Sequence, residues 1–431
     1  MFNKIFSTTN LGDKIIWTHD RWVTLQDFAN DIIKKCELLK NLNSKNNIAI
    51  INRNNYETLV NIMYCVTKKK SFVILSNLEI AGSNLNMLNC GLILDGKKNI
   101  LLRNPVSKNK TAKNPILILL TSSSKYKFVV HDVIKIINFY YDRTMKSPPE
   151  RRRIVLTFPL DHMAGLNLIL KAWMSGGCVV IPKNINIQSI CNAIAKSKAN
   201  ILPATPTLLR LLLLSDLKNK IKSIGTITYG AETMDQTTLN KLNKEFKSVK
   251  IIQTYGLTEM GVVNINSKSN DSTFFQFRED DRNMYKIKKN ILYFRKPQFF
   301  IGYFNKKIYR AKKWFCTNDV VDVSGNYIRV VCRLSDQINV AGLKVEPTEV
   351  EAVLLLCRFV TNAFVYGENC AVLGNRVVAE IVSKSKISSD ELSFRIRSHC
   401  LNLLPKFKTP QKIIFVDKIN YSNRFKRIKK I

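Results

Sequence analysis

Short apolar runs between residues 45 and 255 constrain the fold of this chain more than any other feature. The runs are rich in Ile, Leu and Val, and segments with helical periodicity separate several of them. A parallel sheet that is buried on both faces and connected by crossover helices produces this pattern. We therefore predict strands at Ile48–Ile51, Phe72–Leu75, Leu92–Leu94, Ile116–Leu120, Ile154–Phe158, Cys178–Ile181, Ile224–Thr228 and Lys250–Gln253.

Two other segments predict helices that pack on such a sheet. The first has Thr24 at its N-cap, and its apolar residues share one helical face: Leu25, Phe28, Ile32, Cys36 and Leu39. The second is the more apolar run Leu208–Leu214. Strands that alternate with helices predict an α/β fold for the first part of the chain.

The pattern changes after about residue 275 to short alternating strands, among them Tyr293–Arg295 and Tyr327–Val331. This change predicts a β subdomain. It is followed by a polar stretch from Arg333 to Asp336, where we place a domain boundary. Residues 1–333 would then form a large domain and residues 334–431 a small one.

The sequence predicts an α+β unit for the small domain. A helix opens at Pro347, and strands follow at Ala363–Tyr366, Arg376–Val382 and Ile413–Val416. A second helix has Ser388 and Glu391 in the positions of a capping box. The predicted buried face of this helix consists of Leu392, Ile396, Cys400 and Leu403.

The charge of the chain gives two alternatives for its partners. The 431 residues include 68 Lys and Arg against 32 Asp and Glu, a formal net charge of +36. Such a surplus fits a polyanion such as RNA, but the basic residues are spread along the whole chain. A surplus of Lys, Asn and Ile with only 16 Gly and 12 Pro is also what an AT-rich coding sequence produces, and we favour that origin. We therefore do not expect a nucleic-acid partner.

Cysteine usage and the N-terminus bear on the cellular compartment. The ten cysteines form no Cys-x-x-Cys pair, and several lie in apolar runs, which favours a reducing compartment. The first residues lack the pattern of a secretory signal, and no apolar run approaches the ~20 residues that cross a bilayer. We expect a cytoplasmic chain without a transmembrane segment.

A hydroxyl-rich turn follows the predicted strand Ile116–Leu120. Consecutive hydroxyl residues run from Thr121 to Ser124, with Lys125 and Lys127 behind them. Ligands of open α/β sheets bind at the carboxyl ends of strands, and hydroxyl and ammonium groups suit polyphosphate oxygens. A Ser- and Lys-rich segment is also commonly a solvated loop, so this motif alone leaves both interpretations open.

Further polar motifs follow in order along the chain. They are Pro159-Leu160-Asp161-His162-Met163-Ala164-Gly165, Tyr229-Gly230-Ala231-Glu232, Tyr255-Gly256-Leu257-Thr258-Glu259, Thr317-Asn318-Asp319, Cys332-Arg333, Gly342-Leu343-Lys344 and Arg424-Phe425-Lys426. This succession resembles the adenylate-forming superfamily, whose members are acyl-CoA synthetases such as bacterial fatty-acid–CoA ligases, adenylation domains of peptide synthetases, and luciferases.

The resemblance implies an ATP- and Mg²⁺-dependent ligase. Such enzymes convert a small carboxylic acid to an acyl adenylate with release of pyrophosphate, and then pass the acyl group to CoA or to the phosphopantetheine of an acyl carrier protein. The implied fold is a large AMP-binding domain of parallel sheets sandwiched by helices with a β subdomain, and a small mobile α+β domain. Attack of a carboxylate on a phosphate brings two anions together, so cation placement should dominate catalysis.

Most of the matching positions belong to an ATP site. The loop for the β- and γ-phosphates matches Thr121, Ser122, Ser123, Ser124 and Lys127. Thr258 matches a phosphate-binding threonine, and Glu259 the carboxylate that holds Mg²⁺. Asp319 matches the acid that accepts both ribose hydroxyls, assisted by Arg333. The adenine slot matches Gly230, Ala231, Glu232 and Tyr255, and the tyrosine ring can stack on the purine.

The remaining matches concern the acid and the domain movement. Lys426 matches the lysine that bridges the reacting carboxylate and the α-phosphate, and it forms the predicted catalytic set with Thr258 and His162. The acyl pocket matches His162, Gly165 and Gly256. Ser335 matches the hinge, and Gly342 the loop that takes the place of Lys426 for the thiol step. By themselves, His162 could equally be a core histidine and Lys426 a solvated residue of a basic tail.

Departures from the family pattern keep alternatives open. The phosphate loop has lost both of its usual glycines, which allow close backbone approach. Asn318 replaces another glycine, although Asn tolerates left-handed backbone better than most residues. All charged site residues are present, so we favour a working ligase. The alternatives are a non-catalytic protein of this fold whose basic surface binds a polyanion, and an enzyme that stops at the acyl adenylate.

Overall fold

The computed structural model describes residues 1–40, 46–96, 98–101, 114–121, 127–145, 151–263, 265–278, 284–305, 307–310, 312–370, 374–385 and 387–419. Of the predicted site residues, Ser122, Ser123, Ser124 and Lys426 lie outside this part of the chain. Within it, no helix is both long and apolar enough to cross a bilayer.

Several helices of the described chain begin after a Thr, Asn or Asp whose side chain caps the first turn. The described helices are α1 (Phe2–Ile5), α2 (Leu25–Leu38), α3 (Tyr56–Thr67), α4 (Leu78–Asn84), α5 (Val133–Thr144), α6 (Met163–Met174), α7 (Ile187–Ser197), α8 (Pro206–Leu214), α9 (Gln236–Glu245), α10 (Pro347–Leu354) and α11 (Ser389–Leu403). Thr24 caps α2 as predicted, in a capping box with Asp27. Thr205 caps α8, and Pro206 occupies its first turn.

Each predicted buried run overlaps a strand of the first 253 residues, but the observed bounds differ from the predicted Cys178–Ile181 and Ile224–Thr228. These strands are β1 (Lys14–Thr18), β2 (Arg21–Thr24), β3 (Asn47–Ile51), β4 (Phe72–Leu75), β5 (Cys90–Asp95), β6 (Lys98–Leu101), β7 (Ile116–Leu120), β8 (Phe128–Asp132), β9 (Arg153–Val155), β10 (Cys178–Val180), β11 (Ile201–Ala204), β12 (Thr226–Tyr229) and β13 (Lys250–Gln253). β9 is shorter than predicted, because the chain after Leu156 leaves the sheet and Thr157 Oγ1 donates instead to the carbonyl of Pro203 at 2.5 Å.

The later strands are shorter and mostly antiparallel. They are β14 (Tyr255–Leu257), β15 (Gly261–Val263), β16 (Ile265–Ser267), β17 (Phe275–Phe277), β18 (Tyr285–Lys288), β19 (Ile291–Arg295), β20 (Phe300–Asn305), β21 (Lys307–Arg310), β22 (Trp314–Ser324), β23 (Tyr327–Arg333), β24 (Ile338–Val340), β25 (Leu343–Val345), β26 (Asn362–Cys370), β27 (Gly374–Val382) and β28 (Lys412–Phe415).

Two large sheets form the first part of the molecule. One has the order β13-β12-β11-β9-β10-β1-β2, and all its neighbours are parallel except β1 and β2. The other has the order β21-β20-β8-β7-β4-β3-β5-β6, with the parallel strands β7, β4, β3 and β5 at its centre. The predicted parallel sheets are therefore both present.

Alternation along the strands divides the core into layers, because successive side chains of a strand point to opposite faces. Ile48 and Ile50 of β3 and Ile154 of β9 belong to one cluster, which also contains residues of α2, α3, α5 and α6. Val155 belongs to a second cluster with α7, α8 and α9, and Ala49 to a third. Helices therefore lie between the two sheets and on the outer face of the seven-stranded one, as predicted for the large domain.

Two smaller sheets complete the fold. An antiparallel sheet with the order β16-β17-β23-β22-β19-β18 forms the predicted β subdomain. After Arg333, strands β24 to β28 form a five-stranded sheet that packs with α10 and α11. The core cluster of this last unit runs from Ile338 to Leu404 and contains no residue from before the predicted boundary.

The predicted capping box of α11 is wrong. Ser388 is the N-cap residue, but its side chain makes no capping hydrogen bond. Glu391 instead accepts from Arg395, one turn further along the helix, at 3.0 Å. Leu403 is also misassigned to the buried face: it is 54% exposed, and Leu404 is buried in its place as the helix ends.

Candidate active site

The carboxyl edge of the seven-stranded sheet collects three of the predicted motifs. The segment with His162 follows β9, Gly230 follows β12, and Tyr255 lies two residues beyond β13. β9, β12 and β13 run parallel within this sheet, so their carboxyl ends meet at one edge. The structure therefore brings residues that are almost a hundred positions apart in the sequence to one side of the molecule.

The loop after β9 is held by two asparagines that follow β3 of the other sheet. Asn52 Nδ2 donates to the buried Asp161 Oδ1 at 2.8 Å, and the Leu160 amide donates to Asn54 Oδ1 at 2.9 Å. His162 follows as the N-cap residue of α6 and is half-buried. Gly165 lies in the first turn of this helix against the carbonyl of Pro159. The two sheets are thus tied together beside the predicted acyl pocket.

The turn after β12 packs tightly on the end of β13. A Cβ on Gly230 would lie 2.4 Å from Thr254 Oγ1 and 2.6 Å from the Thr254 carbonyl oxygen, so only glycine fits there. Ala231 has a positive φ of 66°. Glu232 Oε2 accepts from the Thr207 amide at 3.1 Å, at the N-terminus of α8. The Glu232 side chain therefore stabilises that helix start.

Tyr255 and Asp319 form a buried hydrogen bond. The Tyr255 hydroxyl donates to Asp319 Oδ2 at 2.5 Å, and the two residues are 8% and 4% exposed. The tyrosine ring is nearly parallel to Phe275 and Phe294, with centroids 6.0 and 5.9 Å away. Stacking of this ring on adenine stays a prediction. The structure gives Tyr255 a place in the core and a hydroxyl that holds Asp319.

Arg333 pairs with the same carboxylate from the neighbouring strand. Asp319 on β22 lies opposite Arg333 on β23, and Arg333 Nε is 3.3 Å from Asp319 Oδ1. The preceding residue, Asn318, has a φ of 60°, which is the left-handed backbone that glycine usually supplies there. Burial raises the pKa of the Asp319 carboxyl, although the Arg333 charge and the Tyr255 hydrogen bond oppose this rise. Burial and the Asp319 charge also raise the pKa of Tyr255, which keeps its hydroxyl a donor.

Thr258 and Glu259 lie at the tip of the hairpin formed by β14 and β15. Gly256 pairs with Val262 in this hairpin, so the strand that starts at Tyr255 returns directly behind the tip. Glu259 is half-buried, and its Oε1 accepts from the Tyr303 hydroxyl at 3.0 Å. Burial and the Glu259 charge raise the pKa of Tyr303. The hairpin therefore contains both the tyrosine that binds Asp319 and, at its tip, a second acid, Glu259.

The described ends of the hydroxyl-rich turn close on each other. The Thr121 amide donates to the Lys127 carbonyl at 2.9 Å, and the Lys127 amide donates to Thr121 Oγ1 at 3.3 Å. Lys127 Nζ is 5.8 Å from the centroid of the Tyr303 ring, within the range of a cation–π contact. Lys127 therefore contacts the same tyrosine that donates to Glu259.

Sequence reasoning missed Tyr303. This residue follows an aromatic stretch and belongs to β20, which pairs with β8 from a distant part of the chain. A strand with aromatic residues ordinarily indicates core packing, and no motif marked the hydroxyl. The sequence did show that the residues of β8 lie next to the predicted phosphate loop. That β20, which contains Tyr303, pairs with β8 is visible only in the structure.

The predicted residues after β23 occupy turns. Ser335 is exposed in the turn that follows β23, where its Oγ donates to Asp336 Oδ1 at 3.0 Å. Gly342 has a φ of 88° and follows Ala341, which has a φ of 49°, in the two-residue turn between β24 and β25. Lys426 lies outside the described residues.

The described carboxylates suit a metal ion only in the company of a phosphate. No group of three or more His, Cys, Asp or Glu side chains in the described ranges could hold a metal ion. Mg²⁺ commonly binds through one or two carboxylates together with substrate phosphates, rather than in an all-protein cage. Glu259 fits that mode, because the Tyr303 hydroxyl engages one of its two oxygens.

Comparison with family models identifies the family of this chain. A family model described as AMP-binding enzyme matches residues 20–285. The chain belongs to the AMP-binding enzyme family. The family's C-terminal domain model matches residues 349–426. Membership confirms the resemblance inferred from the order of the motifs.

Individual relatives within the family are distant. The 2-succinylbenzoate–CoA ligase of Bacillus velezensis is 26% identical over 299 residues, which cover 64% of this chain and 60% of that protein. The long-chain-fatty-acid–CoA ligase of Haemophilus influenzae is 25% identical over 302 residues, or 65% of this chain and 53% of that protein. The match therefore spans little more than half the length of these relatives.

Solved structures of the family show the same fold. The anthranilate CoA ligase AuaEII in complex with anthranoyl-AMP has a TM-score of 0.80 at 17% identity, covering 98% of this chain and 94% of that one. The o-succinylbenzoate CoA synthetase of Bacillus subtilis in complex with its acyl-adenylate intermediate has a TM-score of 0.74 at 18% identity, covering 99% and 96%. The predicted fold class is confirmed.

Proposed function

We propose that this chain is an acid–thiol ligase: it activates a carboxylic acid with ATP to give an acyl adenylate and pyrophosphate, and then transfers the acyl group to a thiol with release of AMP. The observation that carries the proposal is the hairpin between Tyr255 and Val263. Its first residue, Tyr255, donates to the buried Asp319, which also pairs with Arg333. Glu259 at its tip accepts from Tyr303, whose ring lies 5.8 Å from Lys127 Nζ. An acid that can accept from ribose hydroxyls, Asp319, lies beside the first residue of the hairpin, and a cation that can contact phosphates, Lys127, shares a partner with its tip. This arrangement suits a nucleotide that lies along the hairpin.

Asp319, which is bound by the first residue of the hairpin, supports the proposal that a nucleoside binds there. Asp319 has two carboxylate oxygens, each with two lone pairs, so it can accept from ribose hydroxyls in addition to Tyr255 and Arg333. Arg333 is half-exposed and can turn toward a ligand. We assign the adenine slot to the tight turn of Gly230, Ala231 and Glu232, where the missing Cβ brings the backbone of two strands together.

Charge complementarity supports the phosphate side. We assign Lys127 and Thr121, with Ser122 to Ser124, to the β- and γ-phosphates, and Thr258 to a phosphate oxygen. Glu259 is the residue that would hold Mg²⁺, and the ion when bound would neutralise charge on the phosphates. The lysine and the glutamate both contact Tyr303, so they are at the same end of the proposed nucleotide site.

The chemical step needs a cation between two anions. A carboxylate oxygen attacks the α-phosphorus, the bond between the α-phosphorus and the bridging oxygen breaks, and pyrophosphate leaves. We assign the stabilising ammonium to Lys426, because electrostatic stabilisation of developing charge is usually the largest catalytic term. We assign His162, Gly165 and Gly256 to the pocket for the acid, next to the loop that Asn52 and Asn54 hold.

The thiol step requires that Lys426 withdraw. We propose that residues 334–431 form a domain that rotates about Ser335 and brings the tight turn at Gly342 to the site. The separate core of this unit supports independent movement. The acceptor is CoA or a carrier-protein phosphopantetheine. All ten cysteines are free thiols, which suits the reducing cytoplasm where we place the reaction.

Acid-dependent exchange of pyrophosphate into ATP tests the proposal. The purified chain is incubated with ATP, Mg²⁺, labelled pyrophosphate and one acid at a time from a panel of aliphatic, aromatic and dicarboxylic acids. We expect exchange with at least one acid, and thioester formation when CoA or a loaded carrier protein is added. Exchange without thioester formation would limit the activity to adenylation. A complete lack of exchange, together with salt-sensitive RNA binding, would favour the polyanion-binding alternative.

A further inference from the structure

Tyr303 contacts both charged groups at the proposed phosphate end. It lies on β20, directly opposite Val129 of β8, and β8 begins one residue after Lys127. The hydroxyl of Tyr303 reaches across to Glu259 Oε1 at 3.0 Å, while the face of its ring lies 5.8 Å from Lys127 Nζ. One side chain therefore connects a residue of the eight-stranded sheet with the hairpin tip.

We propose that Tyr303 is a positioning residue, which orients the Glu259 carboxylate for Mg²⁺ through its hydroxyl and restrains Lys127 through its ring. This inference rests on the proposed function, because it concerns the same nucleotide site. Tyr303 lies outside the motifs that predicted the other site residues.

Hydrogen-bond geometry explains how the hydroxyl would act. A phenol donates one hydrogen, and here that hydrogen goes to a single oxygen of the carboxylate. This bond restrains the carboxylate and would leave Oε2 as the oxygen that coordinates a phosphate-bound cation. Hydrogen bonds that orient a metal-binding side chain are typically worth about 10- to 100-fold in metal affinity when they are removed.

The ring contributes separately from the hydroxyl. Lys127 is exposed and has a long flexible side chain, which loses rotamer freedom when it binds an anion. An aromatic face near the ammonium restricts that freedom before the ligand arrives, and the attraction is modest at exposed sites. Tyr303→Phe removes the hydroxyl and keeps the ring, whereas Tyr303→Leu removes both.

Calorimetric titration with ATP, with and without Mg²⁺, tests the inference without relying on turnover. The measured quantity is the factor by which Mg²⁺ tightens ATP binding. We expect Tyr303→Phe to reduce this factor about tenfold or more and to leave the affinity for ATP without Mg²⁺ unchanged. Tyr303→Leu should in addition weaken metal-free ATP binding.

A matched control is available far from the site in sequence. The Tyr56 hydroxyl donates to Asp31 Oδ2 at 2.8 Å, which is the same kind of bond as that between Tyr303 and Glu259. Tyr56→Phe should therefore leave the Mg²⁺ factor unchanged. Melting curves of each variant show whether it is folded before it is titrated.

The possible results distinguish a failure of this inference from a failure of the proposed function. An unchanged Mg²⁺ factor in Tyr303→Phe, with normal ATP binding in the natural chain, would overturn the inference and leave the proposed function standing. Equal losses with and without Mg²⁺ would also overturn it, because they indicate general packing rather than orientation of Glu259. Absence of any ATP binding by the natural chain would overturn both.

Discussion

Asp319 and Asp235 are both buried and both paired with an arginine, yet we expect their substitutions by asparagine to have different effects on the stability of the fold. Arg210, the partner of Asp235, is itself only 10% exposed, whereas Arg333, the partner of Asp319, is 49% exposed. Removing the acid at position 235 leaves a buried cation without its counter-charge, which costs about 3–5 kcal/mol. Removing the acid at position 319 leaves an arginine that water can solvate, so the lost ion pair costs only about 0–1 kcal/mol. The substitution also removes the desolvation cost of a buried charge, which offsets that loss.

The pKa directions give the same contrast. Burial raises the pKa of Asp319 overall, so the folded protein binds that proton more tightly than the unfolded chain and the ionised form costs stability at neutral pH. For Asp235, burial is outweighed by Arg210 and Thr238, and the pKa is lowered. Asp235 therefore contributes stability above its unfolded pKa of about 3.9, and this contribution is lost as the pH falls through the lower folded value. Asp319→Asn should keep or raise the melting temperature at pH 7, and Asp235→Asn should lower it.

For the affinity for ATP we expect the reverse: Asp319→Asn should weaken binding, and Asp235→Asn should not. A charged carboxylate accepts a hydrogen bond worth about 1.5–3 kcal/mol, against about 0.5–1.5 kcal/mol for a neutral acceptor. Asparagine at position 319 leaves one neutral acceptor and replaces the other with a donor. The loss for two ribose hydroxyls is therefore about 3 kcal/mol, or on the order of 100-fold in the Kd for ATP.

Paired titrations with ATP and 2′-deoxy-ATP isolate the ribose contact from general damage. The natural chain and Asp235→Asn should both prefer ATP, because each retains the acceptor for the 2′-hydroxyl. Asp319→Asn should show a clearly smaller preference for ATP, because asparagine offers at most one neutral acceptor to the two hydroxyls. If Asp319→Asn retained the full preference for ATP, or if its affinity for ATP were unchanged, the assignment of this acid to the ribose would be wrong.

Three further variants test separate parts of the proposal. Lys426→Ala should abolish pyrophosphate exchange while Lys429→Ala, in the same basic tail, leaves it unchanged; equal rates in the two variants would place the reacting ammonium elsewhere. Gly230→Ala should lower both the melting temperature and the ATP affinity, because the new Cβ would lie 2.4 Å from Thr254 Oγ1, and unchanged values would show that this turn can yield. Gly342→Ala introduces a Cβ into open space at a φ of 88°, so we expect about 1 kcal/mol of strain, normal exchange and slower thioester formation. Comparison of exchange with CoA-dependent turnover checks this last expectation, which a matched slowing of both rates would contradict.

Local patterns predicted the elements of this fold well. The strands Phe72–Leu75 and Ile116–Leu120 have the predicted bounds, because each is an apolar run. Lys250–Gln253 also has the predicted bounds. The errors occur where a side chain had a competing partner. Glu391 pairs with Arg395 rather than with its helix N-terminus, and Thr157 bonds to the neighbouring strand instead of extending β9.

The sequence by itself determined the order of the motifs and the alternation of strands and helices, because both are properties of neighbouring residues along the chain. The resemblance to the family implied that Arg333 assists Asp319, but their pairing across β22 and β23 became visible only in the structure. The sequence did not show that the Tyr255 ring belongs to the core while its hydroxyl holds this acid, or that Glu232 stabilises the start of α8.

Only the tertiary structure decided which distant side chains meet. Tyr303 and Glu259 belong to different sheets, and their contact depends on the pairing of β20 with β8, which joins segments about 170 residues apart in the sequence. Strand pairing over such a distance is fixed by the packing of the whole domain, and a single-residue shift in register would turn the tyrosine to the opposite face of its sheet. The periodicity of one segment contains no information about its partner, and for that reason the hydroxyl that connects the two charged groups became visible only after the chain was folded.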